Sequence, residues 1–254
     1  MKKIIHKYMK DTVEDEMIPS ILPSRLHDFG YRGVTCDEAG AIAGCSHLIS
    51  FNGTDNLAAI DLTHKYYCSE EYNKAIHNEK RNLYGHDESN DGFMNNIIFS
   101  IWDNFYKNNM PGVSMPATEH SMMTVKGPDG EREACLKFLN AFPEGVIACV
   151  SDSYDLYDLC ENAWGDEFKE NILNRKETQN GLPGCLVIRP DSGNPIEVLP
   201  KVLSILDSKF GSSVNNKGYK VLDSHVRIIQ GDGVNYKTIN EILLTLKNEG
   251  WSAE

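Results

Sequence analysis

Four aspartates follow stretches of the sequence that are predicted to be β-strands. They are Asp55, Asp152, Asp191 and Asp232. In parallel α/β proteins the carboxyl ends of the strands meet on one face, where ligands bind, so we expect these side chains to converge. Converging carboxylates repel one another unless a metal ion, an arginine or a cationic substrate lies between them. The alternative is that each aspartate only caps the next helix.

Three arginines accompany these aspartates: Arg32, Arg189 and Arg227. An arginine offers a planar set of donors that fits a phosphate or a carboxylate. Gly231 and Gly233 flank Asp232 and would let the backbone approach a ligand closely, although Gly-x-Gly alone is a weak signal. An acidic chain with arginines at its strand ends is predicted to hold an anion locally.

His120 is a further candidate catalytic residue. It lies in the segment Pro-Ala-Thr-Glu-His-Ser, where the neighbouring Glu119 would favour its protonated form if the two side chains touch. The alternative is a structural histidine. Sequence alone leaves both interpretations open.

The composition is that of an ordinary globular protein. The chain has 254 residues with 41% apolar and 24% charged residues, and 25 basic against 37 acidic residues give a net charge of −12. Such a charge repels a nucleic-acid backbone, so no nucleic-acid partner is expected. The seven cysteines lack C-x-x-C spacing and several lie in apolar runs, which predicts reduced core thiols rather than structural zinc. Without a signal-peptide pattern or an apolar run of about 18 residues, we expect a cytoplasmic protein with no membrane partner.

The hydrophobic pattern predicts an α/β fold with a parallel sheet. In the second half, buried strands alternate with helices, which is typical of a sheet covered on both faces. The predicted strands are 47–51, 146–150, 185–189 and 226–229. The predicted helices are 1–18, 37–46, 56–67, one ending at 164, 196–208 and 236–248. The stretch 69–109 has few aliphatic residues and is interpreted as an insertion, partly helical near 93–107.

Seven motifs in order resemble the nicotinamide phosphoribosyltransferases, which belong to the type II phosphoribosyltransferases. They are LHDFGYRG at 26–33, NGTD at 52–55, TEHS at 118–121, SDSYD at 151–155, IRPDSGNP at 188–195, KGYK at 217–220 and IQGDGV at 229–234. Together they cover most of residues 25–250 outside the predicted insertion, which makes the resemblance specific.

The resemblance implies a reaction and a set of roles. The family joins nicotinamide to phosphoribosyl pyrophosphate with Mg²⁺, giving nicotinamide mononucleotide and pyrophosphate, and couples ATP hydrolysis through a phosphohistidine that matches His120. Phe29 matches the ring that stacks on nicotinamide, and Asp55 matches the carboxylate that contacts its amide. Asp152 lies in the same pocket. The remaining matches, around the ring and the phosphoribosyl group, are Arg32, Arg189, Asp191, Arg227, Gly231 and Asp232.

The resemblance also implies a fold and a domain organisation. We expect an N-terminal helix and linker at 1–24 and, over 25–254, a partial, irregular (β/α) barrel of the type II phosphoribosyltransferase kind. The N-terminal domain, the C-terminal part of the barrel and its glycine-rich phosphate loop are expected to be absent. We expect Mg²⁺ to be held through the substrate pyrophosphate. The expected assembly is a homodimer or a pairing with a complementing second polypeptide.

Three alternatives remain open at this stage. The chain is a catalytically silent truncated or split-gene fragment that acts as an interaction subunit, or a nicotinate phosphoribosyltransferase, or another Mg²⁺-dependent barrel enzyme. The last alternative explains the aspartates at the strand ends, but not Phe29 or Asp55.

Overall fold

A computed structural model describes residues 1–67 and 112–254. The insertion predicted at 69–109 lies outside the described residues. The chain forms two compact units, one made of Met1–Ile21 with Met115–Glu254 and the other of Leu22–Ser114. We call these unit 1 and unit 2 and describe each by itself.

The described elements follow one another in a mixed α/β order. The α-helices are Lys2–Thr12, Ile18–Ile21, Asp37–Leu48, Leu57–Tyr67, His120–Met123, Glu131–Ala141, Leu156–Asp158, Lys169–Leu173, Pro195–Phe210 and Thr238–Asn248. A π-helical segment spans Leu159–Glu167. The strands are β1 His27–Asp28, β2 Gly53–Thr54, β3 Val146–Val150, β4 Cys185–Arg189, β5 Ser212–Val214, β6 Lys220–Leu222 and β7 Val226–Ile228.

Unit 1 is built on a parallel sheet with the order β3-β4-β7. Val146 pairs with Cys185 at one end of β3, and Val150 pairs with Arg189 at the other. All five residues of β4 are buried, as expected for an apolar strand covered on both faces. The α/β class and the parallel sheet are therefore confirmed, and the predicted bounds of β3 and β4 are correct.

An additional segment extends this sheet beyond β3. Ala117 pairs with Ala148 in parallel, the Thr118 amide donates to the Ala148 carbonyl, and the Ala148 amide donates to the Pro116 carbonyl. Thr118 is fully buried, and its Oγ1 accepts from the Val150 amide at 3.0 Å. The residues after Thr118 are thus delivered to the same edge of the sheet as those after Val150.

The helix predicted to end at Trp164 continues instead as the π-helical segment. Gly165 lies inside this segment and does not end it. An added Cβ there would meet Lys209 Cγ at 2.5 Å, so this glycine permits close packing against the helix Pro195–Phe210. Trp164 is fully buried in the core, and its indole N–H donates to Ser151 Oγ at 3.3 Å. The core therefore reaches the start of the loop that carries Asp152.

Unit 2 contains a two-stranded parallel pair and two packed helices. β1 and β2 pair His27 with Gly53 and Asp28 with Thr54. The strand predicted at 47–51 is wrong, because His47 is the penultimate residue of the helix Asp37–Leu48 and the strand begins later. Periodicity does not distinguish a short apolar run in a strand from one in a helix. The His47 imidazole Nε2 lies 2.9 Å from the Gly53 carbonyl and ties the helix end to β2.

The other helix predictions are confirmed with shifted ends, and a second strand pair besides β1 and β2 was not predicted. The first helix ends at Thr12, and its Tyr8 hydroxyl donates to Asn240 Oδ1 at 3.2 Å. β5 and β6 form an antiparallel hairpin, and the KGYK motif spans the end of its turn and the first residue of β6. None of the helices in the two described stretches combines the length and the apolar character needed to cross a bilayer.

Candidate active site

One edge of the unit 1 sheet carries most of the predicted site residues. Glu119 and His120 follow Thr118, Asp152 follows β3, Asp191 follows β4, and Asp232 follows β7. Parallel strands bring their carboxyl ends to a common edge, which is the physical basis of the sequence prediction. We call Glu119, His120, Asp152, Arg189 and Asp191 the carboxyl-edge cluster.

Asp152 is the hub of this cluster. Its Oδ1 lies 2.9 Å from His120 Nε2, and its Oδ2 accepts from the amides of Asp191 at 2.9 Å and Ser192 at 2.6 Å. The Ser192 hydroxyl also donates to Oδ2. Because an ionised carboxylate only accepts, His120 Nε2 must carry the proton in this contact. One carboxylate therefore joins the segments that follow Thr118, β3 and β4.

Two opposing effects act on the pKa of Asp152. Burial of its side chain, which is 4% exposed, raises the pKa, and the four hydrogen bonds from Ser192 Oγ, the Asp191 amide, His120 and the Ser192 amide lower it. The hydrogen bonds prevail, so the pKa lies below the usual 3.8. Asp152 is thus held in its charged form, with both oxygens occupied by protein donors.

Arg189 is the buried cation of the cluster. Its side chain is 5% exposed, and its Nη2 lies 3.3 Å from Glu119 Oε2 and 3.5 Å from Asp191 Oδ2. Asp191 Oδ2 is also 3.8 Å from His120 Nδ1. Arg189 Nε is buried and has no hydrogen-bond partner within residues 1–67 and 112–254. The structure therefore brings His120, Asp152, Arg189 and Asp191 together, as predicted.

Gly231 lies directly against Asp191. Its amide donates to the Pro190 carbonyl at 2.9 Å, and an added Cβ would lie 1.5 Å from Asp191 Oδ1. No other residue type fits there without displacing the carboxylate. Asp232 is exposed in the same turn, and its carbonyl accepts from Gln230 Nε2 at 2.8 Å.

Arg227 makes its hydrogen bonds away from the carboxyl-edge cluster. Its Nη1 donates to the carbonyls of Leu222, Asp223 and Val226, at 3.2, 2.8 and 2.8 Å, in and just before β7. It also acts electrostatically on Cys185, the first residue of β4. Sequence reasoning grouped Arg227 with Arg189 because both lie in predicted strands, but the side chain of Arg227 reaches the amino-terminal side of the sheet.

Unit 2 positions three further predicted residues. Phe29 follows β1 and Asp55 follows β2, and the Asp55 amide donates to the Asp28 carbonyl at 3.3 Å. Phe29 is half-buried, with its ring centroid 5.6 Å from that of His27. Arg32 is exposed in the 3₁₀ turn Tyr31–Gly33. The ends of these two parallel strands thus bring Phe29 and Asp55 to one edge.

Two contributors were not identified as site residues from the sequence. The Ser192 hydroxyl donates to Asp152, and the Glu119 carboxylate accepts from Arg189. Ser192 lies in the IRPDSGNP motif and Glu119 adjoins His120. Their positions in loops beside candidate residues were the sequence signal that could have identified them. Within the described residues there is no group of three or more His, Cys, Asp or Glu side chains arranged to hold a metal ion.

Comparison with known proteins identifies the family. The model of the nicotinate phosphoribosyltransferase (NAPRTase) family matches residues 24–254. Nicotinamide phosphoribosyltransferase of Xanthomonas campestris pv. campestris (strain 8004) is 34% identical over 256 residues, which cover 100% of this chain and 44% of the relative. The enzyme of the same name from Mycoplasma pneumoniae is 38% identical over 265 residues, covering 99% of this chain and 45% of the relative.

A third relative, nicotinamide phosphoribosyltransferase of Acinetobacter baylyi, is 28% identical over 241 residues, covering 89% of this chain and 40% of the relative. The chain therefore spans less than half the length of these curated relatives. The resemblance drawn from the seven motifs is confirmed. With the family match over 24–254, this chain belongs to the nicotinate phosphoribosyltransferase family.

Proposed function

We propose that this chain takes part in pentosyl transfer from phosphoribosyl pyrophosphate to nicotinamide, giving nicotinamide mononucleotide and pyrophosphate for NAD salvage. The observation that carries the proposal is the carboxyl-edge cluster, in which a histidine, two aspartates and a buried arginine meet at the end of a parallel sheet. Family membership and the names of the relatives support the same reaction. The partial, irregular barrel is the fold proposed to surround this edge.

Asp191 is the proposed carboxylate of the reacting centre. Cleavage of the bond between C1 of the ribose and pyrophosphate builds positive charge on that carbon, and a nearby carboxylate stabilises it. Both oxygens of Asp152 are occupied by protein donors, so Asp152 is proposed to position His120 and the 191–192 amides. Asp191, 16% exposed, retains access to a ligand.

Arg189 is the proposed anion-binding residue. Its Nη2 lies 3.3 Å from the Glu119 carboxylate and 3.5 Å from the Asp191 carboxylate, and a phosphate oxygen is proposed to take the place of one of them. Mg²⁺ usually binds through one or two carboxylates and substrate phosphates, so we propose that it is held through the substrate pyrophosphate. When bound, Mg²⁺ would neutralise charge on the departing pyrophosphate. We propose Arg32 and Asp232 as further contacts to substrate, since both are exposed beside strand ends.

Phe29 and Asp55 are proposed to select nicotinamide. A ring stacked on Phe29 would direct its amide N–H₂ to the Asp55 carboxylate, whereas the carboxylate of nicotinic acid would be repelled. We expect Asp55→Asn to narrow the preference for nicotinamide over nicotinic acid by about tenfold, because it removes one charge-assisted hydrogen bond. The measurement is the ratio of kcat/KM for the two substrates, and an unchanged ratio would refute this role of Asp55.

His120 is proposed to accept a phosphoryl group from ATP, and ATP hydrolysis is thereby coupled to the transfer. Its imidazole is 41% exposed, and Asp152 orients it. The proposed assembly is a homodimer, or a pairing with a second polypeptide that supplies further parts of the site. The proposed location is the cytoplasm.

The experiment that tests this function is a product assay. The 254-residue chain, alone and with a candidate second polypeptide, is given nicotinamide, phosphoribosyl pyrophosphate and Mg²⁺, with and without ATP, and nicotinamide mononucleotide is quantified. We expect product that is lost in Asp191→Asn and retained in Asp166→Asn, which alters only an exposed ion pair with Lys209. His120→Ala should abolish the stimulation by ATP. A lack of product in both settings would favour the interaction-subunit alternative.

A further inference from the structure

Asn56 is a buried polar residue for which the proposed mechanism has no role. It directly follows Asp55, precedes the helix Leu57–Tyr67 and is 1% exposed. Its Oδ1 accepts from the Ala59 amide at 3.0 Å, and its own amide N–H donates to Thr54 Oγ1 at 3.0 Å. The first of these bonds is that of a residue that caps a helix.

The side-chain amide group of Asn56 makes contacts that capping does not require. Its Nδ2 donates to the Gly40 carbonyl at 2.9 Å and to Asp28 Oδ2 at 3.3 Å. Both N–H bonds of the amide are thus used, and such a fully satisfied buried amide specifies one arrangement of its neighbours. A serine or threonine would cap the helix without reaching both acceptors.

Asp28 continues this connection toward Phe29. Its Oδ1 accepts from the Gly30 amide at 3.0 Å, and its backbone carbonyl accepts from the Asp55 amide at 3.3 Å. One carboxylate oxygen therefore holds the turn after β1, and the other is held by the residue after Asp55. The chain of contacts runs from Phe29 and Gly30 through Asp28 to Asn56 and Asp55.

The space around this pair is closely filled by a neighbouring helix. An added Cβ on Gly44 would lie 2.5 Å from Asn56 Nδ2, 2.8 Å from Asp28 Oδ2 and 2.4 Å from Ala59 Cβ. The helix Asp37–Leu48 therefore approaches the amide and the carboxylate so closely that only glycine fits there. Packing and hydrogen bonding together fix where the two side chains lie.

We propose that Asn56, through Asp28, is a positioning residue that sets the spacing between the Phe29 ring and the Asp55 carboxylate. The inference rests on the proposed function, because that function makes these two groups the two sides of a nicotinamide site. Asn56 does not contact the ligand. It holds the ends of β1 and β2, whose following residues Phe29 and Asp55 contact the ligand. Loss of Asn56 would therefore change nicotinamide binding and leave binding at the carboxyl-edge cluster unchanged.

The test uses the whole chain and the variant Asn56→Thr, which keeps a capping oxygen and removes the amide. The matched control is Asn162→Thr, since Asn162 Nδ2 also donates to an aspartate, Asp158, but on an exposed surface. The first readout is hydrogen exchange at the amides of Gly30 and Asp55, which requires no ligand. The second is calorimetric binding of nicotinamide and, separately, of phosphoribosyl pyrophosphate.

We expect Asn56→Thr to speed exchange at both amides and to weaken nicotinamide binding about tenfold, with phosphoribosyl pyrophosphate binding unchanged. Asn162→Thr should leave all of these values unchanged. Unchanged exchange and unchanged nicotinamide binding in Asn56→Thr would overturn the inference. Faster exchange with no nicotinamide binding even by the original chain would overturn the proposed function while supporting the positioning role.

A second variant covers the case in which Asn56→Thr fails to fold. Asp28→Asn leaves Asn56 in place, but a side-chain amide has only one oxygen and keeps only one of the two acceptor contacts. The same changes in exchange and in nicotinamide binding, smaller in size, are expected. Exchange and binding equal to those of the original chain would overturn the inference here also.

Discussion

The two ends of the unit 1 sheet place arginines in opposite surroundings. Arg189, the last residue of β4, is buried beside the carboxylates of Glu119 and Asp191. Arg227, inside β7, donates to three backbone carbonyls on the amino-terminal side. An arginine bound to carbonyls secures a turn, whereas one placed among side-chain carboxylates at a strand end can exchange a partner for an anionic ligand.

The amino-terminal end of the sheet holds a second arginine that donates to a backbone carbonyl. Arg175 Nη2 donates to the Gly145 carbonyl at 2.8 Å, in the turn before β3. Burial raises the pKa of the nearby Cys185 thiol to about 11, against a smaller opposite effect of Arg227 and Arg175. A thiol with this pKa is inert near neutral pH. The contrast teaches that arginines of equal charge at the two ends of one sheet have different partners.

Arg189→Ala tests the carboxyl end most severely. The change leaves the carboxylates of Glu119 and Asp191 without their buried counter-charge, so we expect product formation to fall by about 10²- to 10³-fold. Initial rates are measured alongside near-ultraviolet circular dichroism, which reports whether the variant is folded. A folded variant with the original rate would contradict the role of this arginine.

Gly231→Ala is expected to have the next largest effect, a loss of about tenfold to 10²-fold in rate, because the added Cβ would displace the Asp191 carboxylate. Gly233→Ala is the matched control. An added Cβ on Gly233 would lie at an ordinary distance of 3.5 Å from Pro195, but its φ of +74° disfavours a side chain. We therefore expect Gly233→Ala to lower the unfolding free energy by about 1–2 kcal/mol. Equal rates for the two variants would show that the position of Asp191 does not matter.

Asp152→Asn probes the same end through its pH dependence. We expect the unfolding free energy at pH 7 to fall by about 1.5–3 kcal/mol, because the hydrogen bonds to a charged acceptor weaken. Since folding lowers the pKa of Asp152, this stabilisation is present above pH 3.8 and is lost as the pH falls through the lower folded value. Urea unfolding of the original chain and of Asp152→Asn, at pH 7 and near pH 3, measures whether the difference between their unfolding free energies disappears at low pH.

The control for that experiment is Asp158→Asn. Asp158 also has a lowered pKa, owing to hydrogen bonds from Asn162 and Arg132, but its side chain is 48% exposed. An exposed pair contributes about 0–1 kcal/mol, so its variant should differ less from the original chain at pH 7. If the difference in unfolding free energy between Asp152→Asn and the original chain stays constant with pH, the hydrogen bonds to Asp152 do not depend on its ionisation.

Arg227→Met tests the amino-terminal end and should affect the rate least. Three carbonyls lose their donor, so we expect the unfolding free energy to fall by about 1–3 kcal/mol. Product formation at a temperature where the variant is folded should change far less than in Arg189→Ala. A loss of rate equal to that of Arg189→Ala would support the sequence-based assignment of Arg227 to substrate binding.

Much of the scaffold follows from local patterns in the sequence. β3 and β4 were predicted with correct bounds because each is a continuous apolar run that ends at a loop with polar residues. The strand predicted at 47–51 failed because a short apolar run fits a helix end equally well. Gly165 was interpreted as a helix end, whereas its lack of a side chain serves packing against Lys209.

The sequence by itself determined the parallel α/β class, the family and the list of candidate site residues, because apolar runs, loop positions and motif order are properties of the chain. Only the tertiary structure decided which of these residues lie in contact. Asp152 meets His120 and Ser192 through contacts 32 and 40 residues apart, and Arg227 reaches the other end of the sheet from Arg189. The direction of a side chain and its partners depend on packing between distant segments, which no local pattern specifies.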